Sequence, residues 1–249
     1  MKSIKQKAQK LSHFKTSTKL ITACLGTFSD FDGDTEGVRD FLLSPSSDDE
    51  SEIECVDYHS GLTSGMTAGP NTYVISEISE RDKLSRYLDD CTSVVATGVH
   101  RITGKRISFL SHQDPIKFLS ADEYGEKFII DFSSRLLKLK KLCRNETIDI
   151  VLAGGNFILD ESVPSSFITE AKATRATYKS SIRLLSEIIQ AIIGFEPLVI
   201  VGPKMVARSD AMLYRNNNCR LYLVRPEVGN ATAESYYPSN ISLQESKWK

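Results

Sequence analysis

The 249-residue sequence lacks several features that by themselves assign a protein to a functional class. Its net charge is only -1, so no basic field predicts nucleic acid as a partner. No apolar run approaches the roughly eighteen residues of a membrane span, and the lysine-rich N-terminus has no apolar core of the kind found in signal peptides. With 41% hydrophobic and 25% charged residues, the composition predicts a soluble globular protein.

Cysteine is scarce and irregularly placed. The cysteines are odd in number, widely spaced and never in a C-x-x-C pattern; they are Cys24, Cys55, Cys91, Cys143 and Cys219. This usage predicts reduced thiols in a cytosol-like compartment rather than a disulfide framework. Most of them should be packing residues, because free cysteine behaves as a small buried hydrophobe.

Composition divides the chain into an N-terminal extension, residues 1–54, and a folded domain, residues 55–249. Within the extension, residues 3–20 are basic and mildly helical, whereas residues 30–54 are acidic and rich in serine, which is typical of a solvated connector. The remaining length is sufficient to bury a full hydrophobic core.

The folded domain is predicted to alternate strands with helices. Helical spacing of apolar side chains predicts amphipathic helices over residues 122–144 and 166–193, the second closed by Gly194. Short apolar runs bounded by turn residues predict strands in YVISEIS, TIDIVLAGGN, PLVIVG and the final hairpin AMLYRNNNCRLYLV. This pattern indicates an α/β fold, a layered mixed β-sheet flanked by long helices.

A further, shorter helix is predicted just before the central hairpin. SERDKLSRYLDD, residues 79–90, is predicted as a short helix with Ser79 as its N-cap.

The stretch CTSVVATGVHRITGKRISFLSH predicts a β-hairpin that begins on Cys91 and ends on His112. A cysteine nucleophile needs a thiolate, and a histidine within hydrogen-bond reach is the usual way to obtain one near neutral pH. These two residues are therefore the candidate catalytic pair, provided that the hairpin register brings them together.

Two registers are compatible with the spacing. A two-residue turn at Thr103 and Gly104 would place His112 across from Val95, with Cys91 roughly 13 Å further along the strand. A six-residue loop from residue 99 to Gly104 would place Cys91 directly opposite His112, with Cβ atoms about 5 Å apart. The second register makes the two strands equal in length, which favours it.

The hairpin resembles the superfamily of Cys-His hydrolases that contains CheD-like chemoreceptor glutamine deamidases and the catalytic domain of the cytotoxic necrotizing factor toxins. LDDC, ending on Cys91, resembles the Leu-x-x-Cys signature that opens a strand in these proteins, and FLSH, ending on His112, resembles the end of the next strand. IDIVLAGGN resembles the strand and glycine pair that follow a long helix. The likeness covers roughly residues 72–225 in the order of elements.

The resemblance implies hydrolysis of a protein glutamine side chain without a cofactor. Cys91 would attack the amide carbon, and His112 would take the thiol proton and later protonate the departing ammonia. Backbone N–H groups near Cys91 would stabilise the oxyanion, and water would cleave the thioester to leave glutamate. No motif identifies a third group that orients the histidine; the candidates are Thr92, Asp90 and Asn156, with Gln113 as a candidate for positioning the substrate.

Two alternatives stay open at this point. YfiH-type laccase-domain proteins, of related fold, bind zinc through a histidine, the cysteine of an Asp-Cys pair and a later histidine, and His59, Cys91 and His112 match that order. Three such ligands leave a fourth zinc position for water, so a zinc-dependent hydrolase is one alternative. The other is an inert interaction module on the same fold, because Asp89 and Asp90 replace the family's small residues and carboxylates beside a thiol raise its pKa.

The preferred prediction is a cysteine-dependent amidohydrolase that acts on a protein in a cytosol-like compartment. The N-terminal extension and acidic connector would suit a bacterial effector delivered into another cell.

Overall fold

The computed structural model describes residues 20–27, 53–57, 66–69, 72–88, 91–119, 123–154, 165–201, 210–225 and 234–236. The predicted basic helix and nearly all of the acidic connector lie outside these residues. The described strands are β1 Thr22–Thr27, β2 Ile53–Cys55, β3 Thr67–Gly69, β4 Tyr73–Ile75, β5 Asp82–Leu88, β6 Thr92–Val99, β7 Arg106–Gln113, β8 Asp149–Gly154, β9 Leu198–Val201, β10 Asp210–Arg215, β11 Arg220–Arg225 and β12 Glu234–Tyr236. The described α-helices are α1 Pro115–Phe118, α2 Glu123–Leu142 and α3 Ser165–Ile193, with a 3-10 turn at Asn145–Thr147.

The strands form two mixed sheets rather than the single sheet expected from the sequence. The larger sheet has seven strands in the order β12-β9-β8-β6-β7-β4-β3, in which only the β8–β9 pair is parallel. The smaller has five strands in the order β1-β11-β10-β5-β2, with parallel pairs at both edges. The prediction of an α/β layered fold with mixed pairing is confirmed.

Strands β1 and β2 come from the segment that the sequence assigned to the N-terminal extension. β1 pairs with β11, and β2 pairs with β5, so both strands belong to the five-stranded sheet. This part of residues 1–54 therefore contributes to the folded layers.

Three layers result, because the seven-stranded sheet is buried on both faces. Along β6 the alternation of side chains sends Val94 and Ala96 towards helices α2 and α3, and Val95 towards the five-stranded sheet. We call the second apolar layer the inter-sheet core; its fully buried members include Val74, Val95, Leu110, Val151, Ala153, Met212, Tyr214, Leu221 and Leu223.

Both long helices form where the apolar spacing predicts them. Helix α2 buries Phe128, Phe132, Leu136 and Leu139 against the seven-stranded sheet, the i, i+4 and i, i+3 pattern of one helix face. Helix α3 is followed by Gly194 at φ 102°, so glycine ends it as expected. Among the described residues, no helix combines the length and the apolar character needed to cross a bilayer.

The predicted helix over residues 79–90 is wrong, because most of this segment is strand β5. Leu84 and Leu88 stand at helical spacing, but they face different layers: Leu84 lies in the outer apolar cluster and Leu88 in the inter-sheet core. A register shift between β5 and β10 changes the alternation between them. The polar residues Lys83 and Ser85 occupy core-facing positions, and this hid the strand pattern.

Candidate functional site

The hairpin that carries the candidate pair closes through a four-residue loop. The His100 N–H donates to the Lys105 carbonyl at 2.8 Å, and residues 101–104 form the loop. Gly104 adopts φ 70° there, a conformation that favours glycine. Neither the two-residue turn nor the six-residue loop considered from the sequence is present.

This loop length sets a register two residues away from the one expected. His112 lies opposite Ser93 rather than opposite Cys91, which precedes Ser93 by two residues. The prediction of direct opposition is therefore wrong. Residues two apart on a strand share a face, so Cys91 is a diagonal neighbour of His112, at roughly 7 Å between Cβ atoms for regular pairing.

Both side chains belong to the layer between the sheets. Val74 pairs with His112 from the neighbouring strand β4 and lies in the inter-sheet core, which fixes the face on which His112 stands. Cys91 packs against the same core and is half-buried, whereas His112 is 1% exposed. The thiol is thus the more accessible member of the pair.

The imidazole of His112 is held from the opposite sheet. Ser85 Oγ on β5 lies 2.9 Å from His112 Nδ1 and also donates to the Val56 carbonyl at 3.0 Å. A hydroxyl has a single hydrogen, and since it is directed at Val56, Ser85 accepts from the Nδ1–H of the histidine. In the neutral imidazole this places the lone pair on Nε2, which is the nitrogen that can act as a base.

Gly154 allows strand β8 to approach the candidate cysteine closely. Gly154 pairs with Thr92, and a Cβ at this position would lie 2.6 Å from the Cys91 carbonyl oxygen. Its φ of 104° is also a conformation that side-chain-bearing residues rarely adopt. The Tyr178 hydroxyl donates to the Gly154 carbonyl from helix α3, which holds this strand end in place. Gly154, the first glycine of the pair in AGGN, thus lets the chain pass close to the end of strand β8.

Two of the predicted supporting residues stand on the other face of the sheet. Thr92 and Gln113 are paired across β6 and β7, and Gln113 Nε2 donates to Thr92 Oγ1 at 3.0 Å. Their alternation places them on the face that packs against helices α2 and α3, away from His112, and both are fully buried. Their positions provide no route to contact with His112 or with a substrate in the inter-sheet layer. The expected orienting role of Thr92 and positioning role of Gln113 are therefore not supported.

The other predicted residues, Asp90, Asn156 and His59, lie outside the described residues, so the zinc trio is not tested. Within the described part of the chain, no group of three or more potential metal-ligating side chains is found.

Ser85 is the site residue that sequence reasoning missed. It belongs to the segment that was assigned to a helix, and a helix there would not have faced His112. Reading residues 82–88 as a strand with polar residues on its inner face would have pointed to it.

No protein-family model matches the chain, and no curated protein matches it significantly.

Proposed function

We propose that the protein is a cysteine-dependent amidohydrolase that converts a glutamine side chain of a target protein to glutamate through Cys91 and His112. The observation that carries the proposal is the hydrogen bond between His112 Nδ1 and Ser85, which leaves Nε2 as the basic nitrogen. The proposal is supported by a buried histidine of fixed tautomer that stands on the same layer as a half-buried cysteine.

The chemistry divides into two half-reactions. His112 Nε2 accepts the Cys91 thiol proton, and the sulfur attacks the carboxamide carbon; the resulting imidazolium then protonates the leaving nitrogen, which departs as ammonia. Water attacks the thioester, His112 accepts its proton, and the thiolate leaves the carboxylate product. Ser85 stabilises the imidazolium in both halves, because a hydroxyl oxygen accepts the Nδ1–H in either protonation state.

The diagonal register is compatible with this role. Diagonal neighbours on adjacent strands remain within reach of long or aromatic side chains. Cys91 stands just before β6 begins, so its side chain is not constrained by strand pairing. The choice of a protein glutamine as substrate depends on the resemblance to the deamidases.

The first test compares alkylation rates of the thiols at pH 6.5. We expect iodoacetamide to label Cys91 at least about tenfold faster than Cys55, which is also half-buried, because only a thiolate reacts rapidly below the ordinary thiol pKa. His112→Ala should abolish the difference, as measured by peptide mass spectrometry. Equal rates for Cys91 in the two proteins would contradict the dyad.

The second test concerns turnover. Mass spectrometry of candidate target proteins should detect the small mass gain of amide-to-acid conversion with the wild type and none with Cys91→Ser. Zinc content is measured on the same preparations. Stoichiometric zinc that is lost in His112→Ala would replace the dyad with the zinc-dependent alternative.

Ser85 is a positioning residue in this proposal. Ser85→Ala removes the acceptor of the His112 Nδ1–H, and hydrogen bonds to charged groups contribute about 1.5–3 kcal/mol, so we expect the Cys91 labelling rate at pH 6.5 to fall by about tenfold or more. The pH at which labelling reaches half its maximum should rise. Ser85→Thr keeps the hydroxyl and should restore both quantities; a Thr variant as slow as the Ala variant would show that packing, not the hydrogen bond, is responsible.

A further inference from the structure

A cleft lies at the end of the sandwich opposite the cysteine site. It has a volume of about 630 Å³ and is lined by the segment 80–82, the β6–β7 hairpin end and the β10–β11 turn. Its hairpin residue Arg106 lies six residues from His112 along β7, which corresponds to about 20 Å. The volume falls within the ~300–1,000 Å³ of small-molecule sites. This cleft is therefore separate from the proposed catalytic pair.

The carboxylates of the cleft already have partners. Glu80 pairs with Lys105 at 2.8 Å. Asp82 pairs with Arg215 at 3.0 Å and accepts the Asn216 N–H at 2.7 Å. Neither acidic side chain is left over to neutralise a further cation.

Arg106 is the further cation. It is half-buried, its Nη1 is buried without a hydrogen-bond partner, and no carboxylate of the described residues forms an ion pair with it. A guanidinium stays charged at any physiological pH, and leaving its buried donors unsatisfied is costly. Such a group calls for an explanation, and a water molecule, an ion or a ligand can complete it.

The polar groups nearest to Arg106 in the five-stranded sheet do not supply the missing charge. The positive charge of Arg106 acts on Tyr214 and on Cys219. Burial nevertheless raises the pKa of both groups above their ordinary values, so the phenol and the thiol stay neutral. Asp149, which also acts on Cys219, accepts the backbone N–H groups of Leu20 and Ile21. Among the described residues, Arg106 therefore has no ion-pair partner in direct contact.

An acceptor stands on the same cleft wall. Both hydrogens of Asn216 Nδ2 are engaged, by the carbonyls of Glu80 and Arg81 at 3.2 and 2.6 Å, which fixes the orientation of the amide. Its Oδ1 is buried and has no hydrogen-bond partner, in a side chain that is 4% exposed. The wall of the cleft therefore contains one unmatched cationic donor and one unmatched acceptor.

We propose that this cleft binds a small molecule through its oxyanion, a phosphoryl or carboxylate group held by Arg106, with a hydroxyl or amino group of the same molecule directed at Asn216. The planar guanidinium matches both oxyanions with two parallel N–H donors. Arg81 at the rim adds positive potential that attracts an anion. The site is independent of the chemistry at Cys91.

The test is calorimetric titration of the full chain with inorganic phosphate and, separately, with succinate. We expect saturable binding of at least one probe, weakened at least tenfold in Arg106→Gln and unchanged in Arg183→Gln, an exposed arginine on helix α3. A preference for phosphate identifies a phosphorylated ligand, and a preference for succinate identifies a carboxylate ligand. Absence of saturable binding for both probes, or equal binding by Arg106→Gln, overturns the proposal.

A second measurement needs only the wild-type chain. Addition of the bound probe should shift the backbone amide resonances of Gly104, Lys105 and Asn217, which line the cleft, and leave those of β6 near Ser93 in place. Shifts confined to other surfaces would also overturn the assignment, whether or not Arg106→Gln folds.

Discussion

At the scale of single residues, Gly154 shows how a strand end and the candidate nucleophile depend on each other. The absence of a side chain lets β8 contact the peptide between Cys91 and Thr92, and a positive φ is needed to do so. Gly194 has nearly the same φ, 102°, but nothing lies within 4 Å of the position of its Cβ. Comparing Gly154 with Gly194 therefore separates the cost of backbone strain from the cost of steric contact.

Gly154→Ala should destabilise the protein more than Gly194→Ala. Both substitutions meet an unfavourable backbone conformation, which costs about 1–3 kcal/mol, but only the first also forces a clash with the Cys91 carbonyl. Urea unfolding of the two variants measures the difference in the free energy of unfolding. Equal losses in the free energy of unfolding would mean that β8 moves away from Cys91 without a further energetic cost. The Cys91 labelling rate in Gly154→Ala would then measure the effect of that displacement.

The candidate pair could be identified from sequence, but its surroundings could not. Cys91 and His112 stand out because their residue types carry chemistry and because they lie at the two ends of a recognisable hairpin. Ser85 has no such signature, since serine is common at surfaces and its neighbours follow a helical spacing. Its role appears only when β5 is placed across from β7, a contact between two sheets that no local pattern encodes.

At the scale of elements, the β6–β7 turn also serves as a cap for helix α2. Arg101 donates from Nε to the Cys143 carbonyl and from Nη2 to Asn145 Oδ1 at 3.1 Å, just beyond the last turn of the helix. Its backbone N–H donates to the Leu142 carbonyl at 2.9 Å. The loop that sets the hairpin register is thus hydrogen-bonded to the end of helix α2. A prediction of loop length from the turn residues alone does not include this contact.

Arg101→Ala should lower the free energy of unfolding by about 1–3 kcal/mol, because it leaves helix-terminal carbonyls without their charged donor. Lys105→Ala in the same hairpin is the matched control. Its ion pair with Glu80 is 64% and 49% exposed, and exposed pairs contribute about 0–1 kcal/mol. Chemical denaturation of both variants decides the matter; a Lys105 effect as large as that of Arg101 would contradict the capping role.

Local patterns succeeded where an element is amphipathic by itself. Helices α2 and α3 and the β10–β11 hairpin lie where their spacing and turn residues predict them. The pattern failed at β5, where Lys83 and Ser85 occupy inner positions that an alternation rule reserves for apolar residues. Polar side chains satisfied by distant partners are the physical reason for that failure.

At the scale of the whole molecule, the layer between the sheets holds a buried ion pair of the five-stranded sheet beside the apolar core. Lys83 pairs with Glu54 on β2, and their side chains are 0% and 7% exposed. Burial lowers the pKa of Lys83, while Glu54 acts in the opposite direction. Ser79 accepts from Lys83 Nζ at 2.6 Å, and Glu54 accepts the Glu77 N–H at 3.2 Å, so the pair is part of a hydrogen-bonded cluster.

Lys83→Met should destabilise the protein by about 3–5 kcal/mol, because it leaves the Glu54 carboxylate buried without its partner. The double variant Lys83→Met, Glu54→Leu removes both charges and should recover most of that loss. Urea unfolding of the two single variants and the double variant forms the thermodynamic cycle. Additive losses in the double variant would show that the two side chains stabilise the sheets independently.

The five-stranded sheet escaped sequence reasoning because its strands are gathered from the whole chain. Only β10 and β11 are joined by a turn; β1, β2 and β5 reach the sheet from segments far apart in sequence.

The pairing of Thr22 with Arg220 has a consequence for biosynthesis. On the ribosome, β1 emerges early and lacks its partner strand until β11 has been translated, so completion of this sheet is a late event that leaves strand edges open to wrong pairing in the nascent chain.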